Sequence, residues 1–316
     1  MQYDSDEQLA TLVEVARLYY EEGLSQQAIA DRLSVSRSLI ALYLQKARDR
    51  GIVRIEVVNP QDSVAGLALE IQERSQVEEI IVVPHGHISP ELTRRAIAGA
   101  AAKLIEDNLS DGAVLGLVWG RTVTNIVELL APSSPCDIDV LPLLGESSYG
   151  DTYTQMNELV LSVAKQFNGK PHFLLAPMVL GSKSLRDALM SDPGVQRVTG
   201  FWEKITIACF GVGVLPPAPG QIPYISQEHL DRLTSIGAVG DLCGFHHFDL
   251  QGNLLESELS DRVIGIRVDQ LMRASKRVAV ASGVEKAPGV VGALRTGLIT
   301  TLIIDAKLAE TIIMQL

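Results

Sequence analysis

The chain is poor in cysteine: Cys136, Cys209 and Cys243 are the only three in 316 residues. They are unclustered, odd in number and never in a CxxC pair, so neither a disulfide framework nor a zinc site is indicated. No apolar run reaches the ~18–20 residues that a membrane span needs. The amino terminus, Met1 to Gln8, is acidic and lacks the basic and apolar segments of a signal peptide. A cytoplasmic protein without a membrane partner is expected. An excess of basic charge is missing too, since 27 Lys/Arg stand against 38 Asp/Glu, for a net charge of −11. That balance opposes nucleic-acid binding unless the charge is unevenly placed. The GxxxxGK[ST] order of a P-loop is absent, and no paired-carboxylate or Asp–His constellation stands out.

What is present begins with the uneven charge. Residues 1–31 hold seven acids and only Arg17, whereas residues 32–54 hold Arg32, Arg37, Lys46, Arg48, Arg50 and Arg54 against Asp49 alone. Within this basic segment the apolar spacing is helical. Ile29, Ala30 and Leu33 form one stripe, and Leu39, Ile40, Tyr43 and Leu44 another. Ser34-Val35-Ser36 breaks the run, and Ser25 and Ser36 are placed to cap the two helices. Two short helices about a tight turn predict a helix-turn-helix, whose second helix enters the DNA major groove. An amphipathic helix over Leu9–Tyr19 precedes it and ends by Gly23. Gly51 stops the third helix, and Ile52–Val57 alternates like the strand of a winged helix.

Exposed positions at the start of the third helix are Arg37, Ser38, Ala41, Leu42 and Gln45. Arg37 and Gln45 are the base-reading candidates, because arginine pairs with guanine and glutamine with adenine in bidentate fashion. Lys46, Arg48 and Arg54 are expected to hold phosphates, or to be solvated surface charges. Gln26, Ser36, Ser38 and Leu42 complete the DNA-facing set. So small a footprint calls for binding as an oligomer.

Asn59-Pro60-Gln61-Asp62-Ser63 is a breaker cluster. It separates a domain of residues 1–58 from one of residues 65–316, with 59–64 as linker. Beyond it, helices alternate with short continuous apolar runs, as in an α/β fold whose parallel sheet is buried on both faces. Helices are expected over Ala65–Arg74, Pro90–Asn108 and from about Thr122. Strands are expected over Glu79–Val83, Ala113–Val118, Ile138–Leu143, His172–Ala176, Ile205–Phe210, Val278–Ala281 and Leu298–Ile304. A ligand site belongs outside the carboxyl ends of such strands. Four loops qualify. In Gly116 to Thr122, glycines allow close backbone approach, Thr122 opens a helix that attracts anions, and Arg121 adds a charged fork. Gly211-Val212-Gly213 reads as a second cradle or as a plain tight turn. Gly240-Asp241-Leu242-Cys243-Gly244 and Ser282 to Lys286 are the third and fourth. Asp241 and Lys286 are read as partners for sugar hydroxyls or as surface residues. His85, His87, His246 and His247 have no ligand spacing, so no metal or other cofactor is expected.

The run from Leu12 to Val57, with its Tyr19-Tyr20 pair, the opening GLSQQAIADRL and the exit RGIVRIEV, closely resembles the amino-terminal domain of the SorC family of sugar-responsive bacterial regulators. It departs from the usual pattern at Ser34, where the turn normally has glycine because φ > 0 is needed, so mild strain is expected there. GLVWGRT, GDLCGFHHFD and VAVASGVEKAPGVVGALRTGLITTLIID resemble that family's effector domain in order and spacing. That domain is similar to doubly wound sugar-phosphate isomerase and deaminase folds. The family pattern places Gly145, Glu146 and Asn157 in a sugar-facing segment, and His246-His247 departs from its usual form. The resemblance implies a transcriptional regulator of a sugar catabolic operon, with operator DNA and a phosphorylated sugar as partners and a homo-dimer or tetramer as the assembly. Effector contacts would come from Gly116, Trp119, Gly120, Arg121, Thr122, Gly145, Gly211, Gly213, Asp241, Leu242 and Lys286. The competing reading is a sugar-phosphate isomerase or deaminase with an accessory helical domain. An enzyme, however, has no use for a basic third helix.

Overall fold

The computed structural model describes residues 3–53, 64–84, 89–147, 155–215, 226–243 and 245–316. The chain divides into two compact units, Met1–Asn59 and Pro60–Leu316.

The first unit contains α1 (Tyr3–Tyr20), α2 (Gln26–Leu33) and α3 (Arg37–Asp49). Its core is small: Leu12, Val15, Ala16 and Leu18 of α1 are buried with Ile29 and Ala30 of α2 and Ile40, Leu44 and Ala47 of α3. Each fully buried Leu, Ile or Val contributes roughly 1.5–3 kcal/mol. The Ser25 hydroxyl caps α2 by accepting from the Ala28 N–H at 3.2 Å, and Ser36 caps α3 through Leu39 N–H, also at 3.2 Å. Ser34 adopts φ 54°, ψ 40°, the left-handed conformation that glycine would take without steric cost. Ile52 and Val53 form a turn after α3 and pack on Leu12, Ala16 and Ala47. The rest of the expected wing strand, with Arg54, lies outside the described residues.

The second unit is built on seven parallel strands. They are β1 (Glu79–Val83), β2 (Val114–Leu117), β3 (Asp139–Pro142), β4 (Lys170–Pro171), β5 (Ile207–Gly211), β9 (Lys276–Ala281) and β10 (Thr301–Asp305), in the order β1-β10-β9-β5-β2-β3-β4. A three-stranded antiparallel sheet, β6 (Ala238–Leu242), β7 (His246–Asp249) and β8 (Leu254–Leu255), stands apart from it. The helices are α4 (Val64–Arg74), α5 (Pro90–Asn108), α6 (Arg121–Leu129), α7 (Met156–Phe167), α8 (Lys183–Met190), α9 (Pro193–Thr199), α10 (Gln227–Ser235), α11 (Val268–Leu271), α12 (Ala287–Arg295) and α13 (Ala306–Ile313).

Side chains alternate between two cores because successive strand residues face opposite ways. Val278, Val280 and Ile303 join α5, α6 and α7 on one face; Ala279, Ala281, Leu302 and Ile304 join α12 and α13 on the other. This is the doubly wound α/β arrangement, with both sheet faces covered.

The strand expected over His172–Ala176 is not formed; β4 stops at Pro171. Asn157 replaces the ladder there: its amide donates to Leu174 O at 3.3 Å and accepts from Leu174 N–H at 3.1 Å. The supposed loop Gly240–Gly244 is a second correction, since Gly240, Asp241 and Leu242 belong to β6 and pair with Phe248, His247 and His246. Gly244 lies outside the described residues.

Candidate functional site: the third helix and the carboxyl ends of the strands

On α3, Arg37, Ser38, Ala41, Leu42 and Gln45 are exposed, Leu42 to 44%. They fall on the side away from Ile40, Leu44 and Ala47, which the core holds. Among the described residues, Arg37 and Lys46 form no ion pair, so their charge is unspent. Lys46 and Gln26 are half-buried, and Ser36 is occupied in capping. Arg48 is exposed and donates from Nη1 to the Tyr20 hydroxyl at 3.0 Å. The nearby acids of α1 and its exit are paired elsewhere: Glu21 with Arg17 at 3.4 Å and Glu22 with Arg32 at 3.6 Å. The basic residues of α3 are therefore not neutralised by these two acids.

In the second unit the strand order reverses between β2 and β5: from β2 the chain proceeds to β3 on one side and later returns to β5 on the other. Open α/β sheets bind ligands at such a switch point, outside the carboxyl ends. The loops after β2, β5 and β9, three adjacent strands, carry Trp119-Gly120-Arg121, Gly211-Val212-Gly213 and Ser282 to Lys286. The sheet thus aligns three stretches that lie far apart in sequence.

Each loop is held differently. Gly120 precedes α6 with φ 152°, and no side chain caps the helix start. The N–H groups of its first turn therefore point outward with the positive end of the helix dipole. Arg121 is exposed and forms no ion pair among the described residues. Trp119 is half-buried, its indole N–H directed to Met178 Sδ at 3.3 Å. Lys286 donates to the Val212 carbonyl at 2.5 Å and ties the third loop to the second. Burial pulls the Lys286 ammonium below the usual lysine range; Asp241 and Glu285 oppose that, and Arg121 adds to it. Gly213 donates to Asp241 O at 2.9 Å. A Cβ on Gly213 would lie 1.8 Å from the Asp241 carboxylate, so only glycine admits Asp241 to this place. Gly283 donates to the buried Asp305 carboxylate at 3.0 Å, which fixes the mouth of the third loop.

Other residues expected here have structural work instead. Gly116 lies inside β2, where a Cβ would meet Leu143 Cδ2 at 2.4 Å. Gly145 is buried, and a Cβ there would lie 2.7 Å from both Ala176 O and Pro177 O, so it serves backbone packing. Leu242 is fully buried in the core. The Glu146 carboxylate caps α7 by accepting from Met156 N–H at 2.8 Å and Asn157 N–H at 3.2 Å, and burial raises its pKa. Thr122 is half-buried in the first turn of α6, and Gly211 ends β5 in an uncrowded position. His246 contacts Ile266 O at 2.8 Å and His247 is buried; desolvation lowers the pKa of both. Among the described residues, no three His, Cys, Asp or Glu side chains are grouped to hold a metal ion. His85 and His87 lie outside them.

A cavity of about 350 Å³ opens at the amino ends of the strands, lined by Asn108, Asp111, Thr206, Ser275 and Lys276. Four of its polar groups already have partners: Asn108 with Leu104 O, Thr206 with Val114, Ser275 with Thr206 O, and Lys276 with Glu79 at 3.5 Å.

Residues 60–314 match the family described as "Putative sugar-binding domain". The deoxyribonucleoside regulator of Bacillus subtilis is 29% identical over 311 residues, covering 96% of this chain and 97% of the relative. The sorbitol operon regulator of Klebsiella pneumoniae is 24% identical over 314 residues, covering 98% and 99%. The crystal structure of that full-length regulator, SorC, superposes with a TM-score of 0.76 at 25% identity, covering 96% of this chain and 98% of that one. No helix among the described residues is long and apolar enough to cross a membrane. With a helix-turn-helix unit ahead of a sugar-binding domain matched over nearly its whole length, the chain belongs to the SorC family of transcriptional regulators.

Proposed function

We propose that this regulator binds operator DNA through α3 and that a phosphorylated sugar, bound at the carboxyl ends of β2, β5 and β9, sets its affinity. The observation that carries the reading is the meeting of an uncapped helix start and an exposed Arg121 with Asp241 and Lys286. The first two suit a phosphate, and the last two suit hydroxyls, one accepting and one donating. Relatives named for a sorbitol operon and for deoxyribonucleosides support a polyol- or pentose-based ligand. A helix-turn-helix reads half-sites, so the active form is a dimer or tetramer on a repeated or palindromic operator. The ligand acts by preferring one arrangement of the assembly over another; equal affinity for both would shift nothing.

Catalysis is not part of this reading. Lys286 keeps N–H donors beyond the one given to Val212 O, but no second carboxylate or histidine is paired with Asp241 as a general acid–base couple among the described residues. The test is a thermal-shift and gel-shift titration across phosphorylated sugars and their unphosphorylated parents. A ligand that binds the folded state raises the melting midpoint. Response to the parent sugars alone would remove the phosphate from the proposal, and turnover at enzyme-like rates would replace it.

A further inference from the structure

Tyr20, the last residue of α1, is of a type that by itself suggests packing. Its hydroxyl nevertheless reaches α3 and accepts a hydrogen bond from Arg48 Nη1 at 3.0 Å. Arg48 follows Arg37 by eleven residues, which at 3.6 residues per turn returns it to within about 20° of Arg37 around the helix axis and ~16 Å along it. It therefore ends the stripe that Arg37 begins, with Ala41 and Gln45 between. A helix whose first turns enter the major groove brings its far end to the groove wall, where phosphates stand.

The choice of partner is informative. Glu21 and Glu22 directly follow Tyr20, and either carboxylate would neutralise a neighbouring guanidinium. Both are turned to other arginines, Arg17 and Arg32. Arg48 forms no ion pair among the described residues; its partner is a neutral phenol. A neutral acceptor orients the guanidinium without cancelling its charge, and it occupies one of five N–H donors, leaving the rest for a bidentate phosphate contact. The phenol is itself held. Tyr19 meets the Tyr20 ring edge-on, with centroids 4.9 Å apart and planes at 86°, and Tyr19 packs on the core of Val15, Leu18, Ile29, Ile40 and Leu44. Core packing is thus transmitted through two rings to the placement of one surface cation.

We infer that Tyr20 is a positioning residue for DNA-backbone recognition, its hydroxyl holding Arg48 ready for a phosphate. The inference rests on the reading of the first unit as DNA-binding. Fixing a long side chain before contact removes part of the ordering cost of binding, so loss of the hydroxyl should weaken affinity about three- to tenfold.

A phosphate contact is independent of sequence, so the probe is a mixed-sequence DNA duplex with the full-length protein, titrated over a range of salt. Arg48→Ala should bind more weakly and lower the slope of log affinity against log salt by about one. Tyr20→Phe, which keeps the ring, should melt as wild type does yet bind about three- to tenfold more weakly. The double variant Y20F/R48A should bind as R48A does, because the hydroxyl then has nothing to hold. Equal weakening by Y20F with and without Arg48 would assign Tyr20 to helix packing and overturn the inference. Wild-type binding by Y20F, or an unchanged salt slope in R48A, would overturn it as well. Failure of the wild-type protein to bind any duplex would remove the DNA-binding reading itself, and the inference with it.

Discussion

On α3 most candidate side chains are exposed and bound to little, whereas around the switch point of the sheet several are crowded and already hydrogen-bonded. Arg37, Leu42 and Gln45 point outward from a helix whose opposite face is core, and the backbone contributes only a scaffold. At the carboxyl ends of β2, β5 and β9 the backbone is the principal building material. Gly213 admits the Asp241 carboxylate, the Val212 carbonyl holds Lys286, and the uncapped start of α6 presents N–H groups. A groove-reading surface must meet many possible sequences with side chains alone. A small-ligand site must instead fix its few polar groups to within fractions of an ångström. Substitution should therefore act differently at the two sites, changing contacts at the first and geometry at the second.

The largest effect is expected where geometry is tightest. A Cβ on Gly240 would lie 2.4 Å from Gly213 O and 3.2 Å from Gly289 Cα, both backbone atoms with little freedom to move. Gly240→Ala should cost about 2–3 kcal/mol and lower the melting midpoint by roughly 4–12 °C, with loss of the effector response. A variant that melts and responds as wild type does would break the contrast. Arg121→Ala tests the one contact at this site that resembles those on α3, an exposed side chain. It should weaken the effector midpoint by ~1.5–3 kcal/mol, at least tenfold, and leave ligand-free DNA binding intact. An unchanged midpoint in a gel-shift titration would remove Arg121 from the phosphate site.

Arg37→Ala is the matching change on α3. It should cost ~1–3 kcal/mol at one operator position and relax specificity there, with no change in melting. Equal weakening on operator and mixed-sequence DNA would make Arg37 a phosphate contact. Lys286→Met separates stability from function in the second unit. Burial lowers the folded-state pKa of Lys286, so the unfolded chain binds the extra proton between that value and the ordinary lysine range. Stability from this group is present above the unfolded pKa and lost as pH falls through the folded one. Below the ordinary lysine range, burial of this amine is thus a cost to stability. The methionine variant should melt no lower than wild type while losing effector binding, and its stability gain should shrink as the pH is raised. A lower melting midpoint at neutral pH would mean that the bond to Val212 O outweighs the burial.

The same contrast explains what can be read from the chain alone. Side chains on one face of a helix announce themselves by spacing, so α2, α3 and their serine caps follow from periodicity. The central strands follow from continuous apolar runs such as Val278–Ala281. Glycines after those runs mark the loops at 118–122, 211–213 and 282–286, although nothing local says that β9, β5 and β2 are neighbours. The antiparallel sheet is hidden because Gly240, Gly244 and Gly252 resemble loop residues, whereas Gly240 is a strand residue suited to close contact with Gly213 and Gly289. Leu242, expected at the ligand if its segment were a loop, lies in the core. Asn157 as a substitute strand and Glu146 as a cap ten residues ahead of its helix depend on contacts that have no sequence period.

Ser34 carries the smallest expected effect and the sharpest form of the contrast, since it tests backbone geometry inside the side-chain-reading unit. Its φ of 54° belongs to the region where a Cβ crowds the following carbonyl, at roughly 1 kcal/mol for a residue other than glycine. The conformation is imposed by the helix turn, where the Val35 N–H closes on Ala30 O at 3.0 Å to end α2. Glycine relieves the crowding but gains freedom in the unfolded chain, so the two terms partly cancel. Ser34→Gly should therefore stabilise the first unit only slightly, by about 0–0.6 kcal/mol in denaturant unfolding, and leave DNA affinity within about twofold, because Ser34 precedes the proposed reading face. Destabilisation would mean that the serine is favoured by something other than its backbone. A change in operator preference would mean that the turn, and not α3 alone, sets how the helix enters the groove.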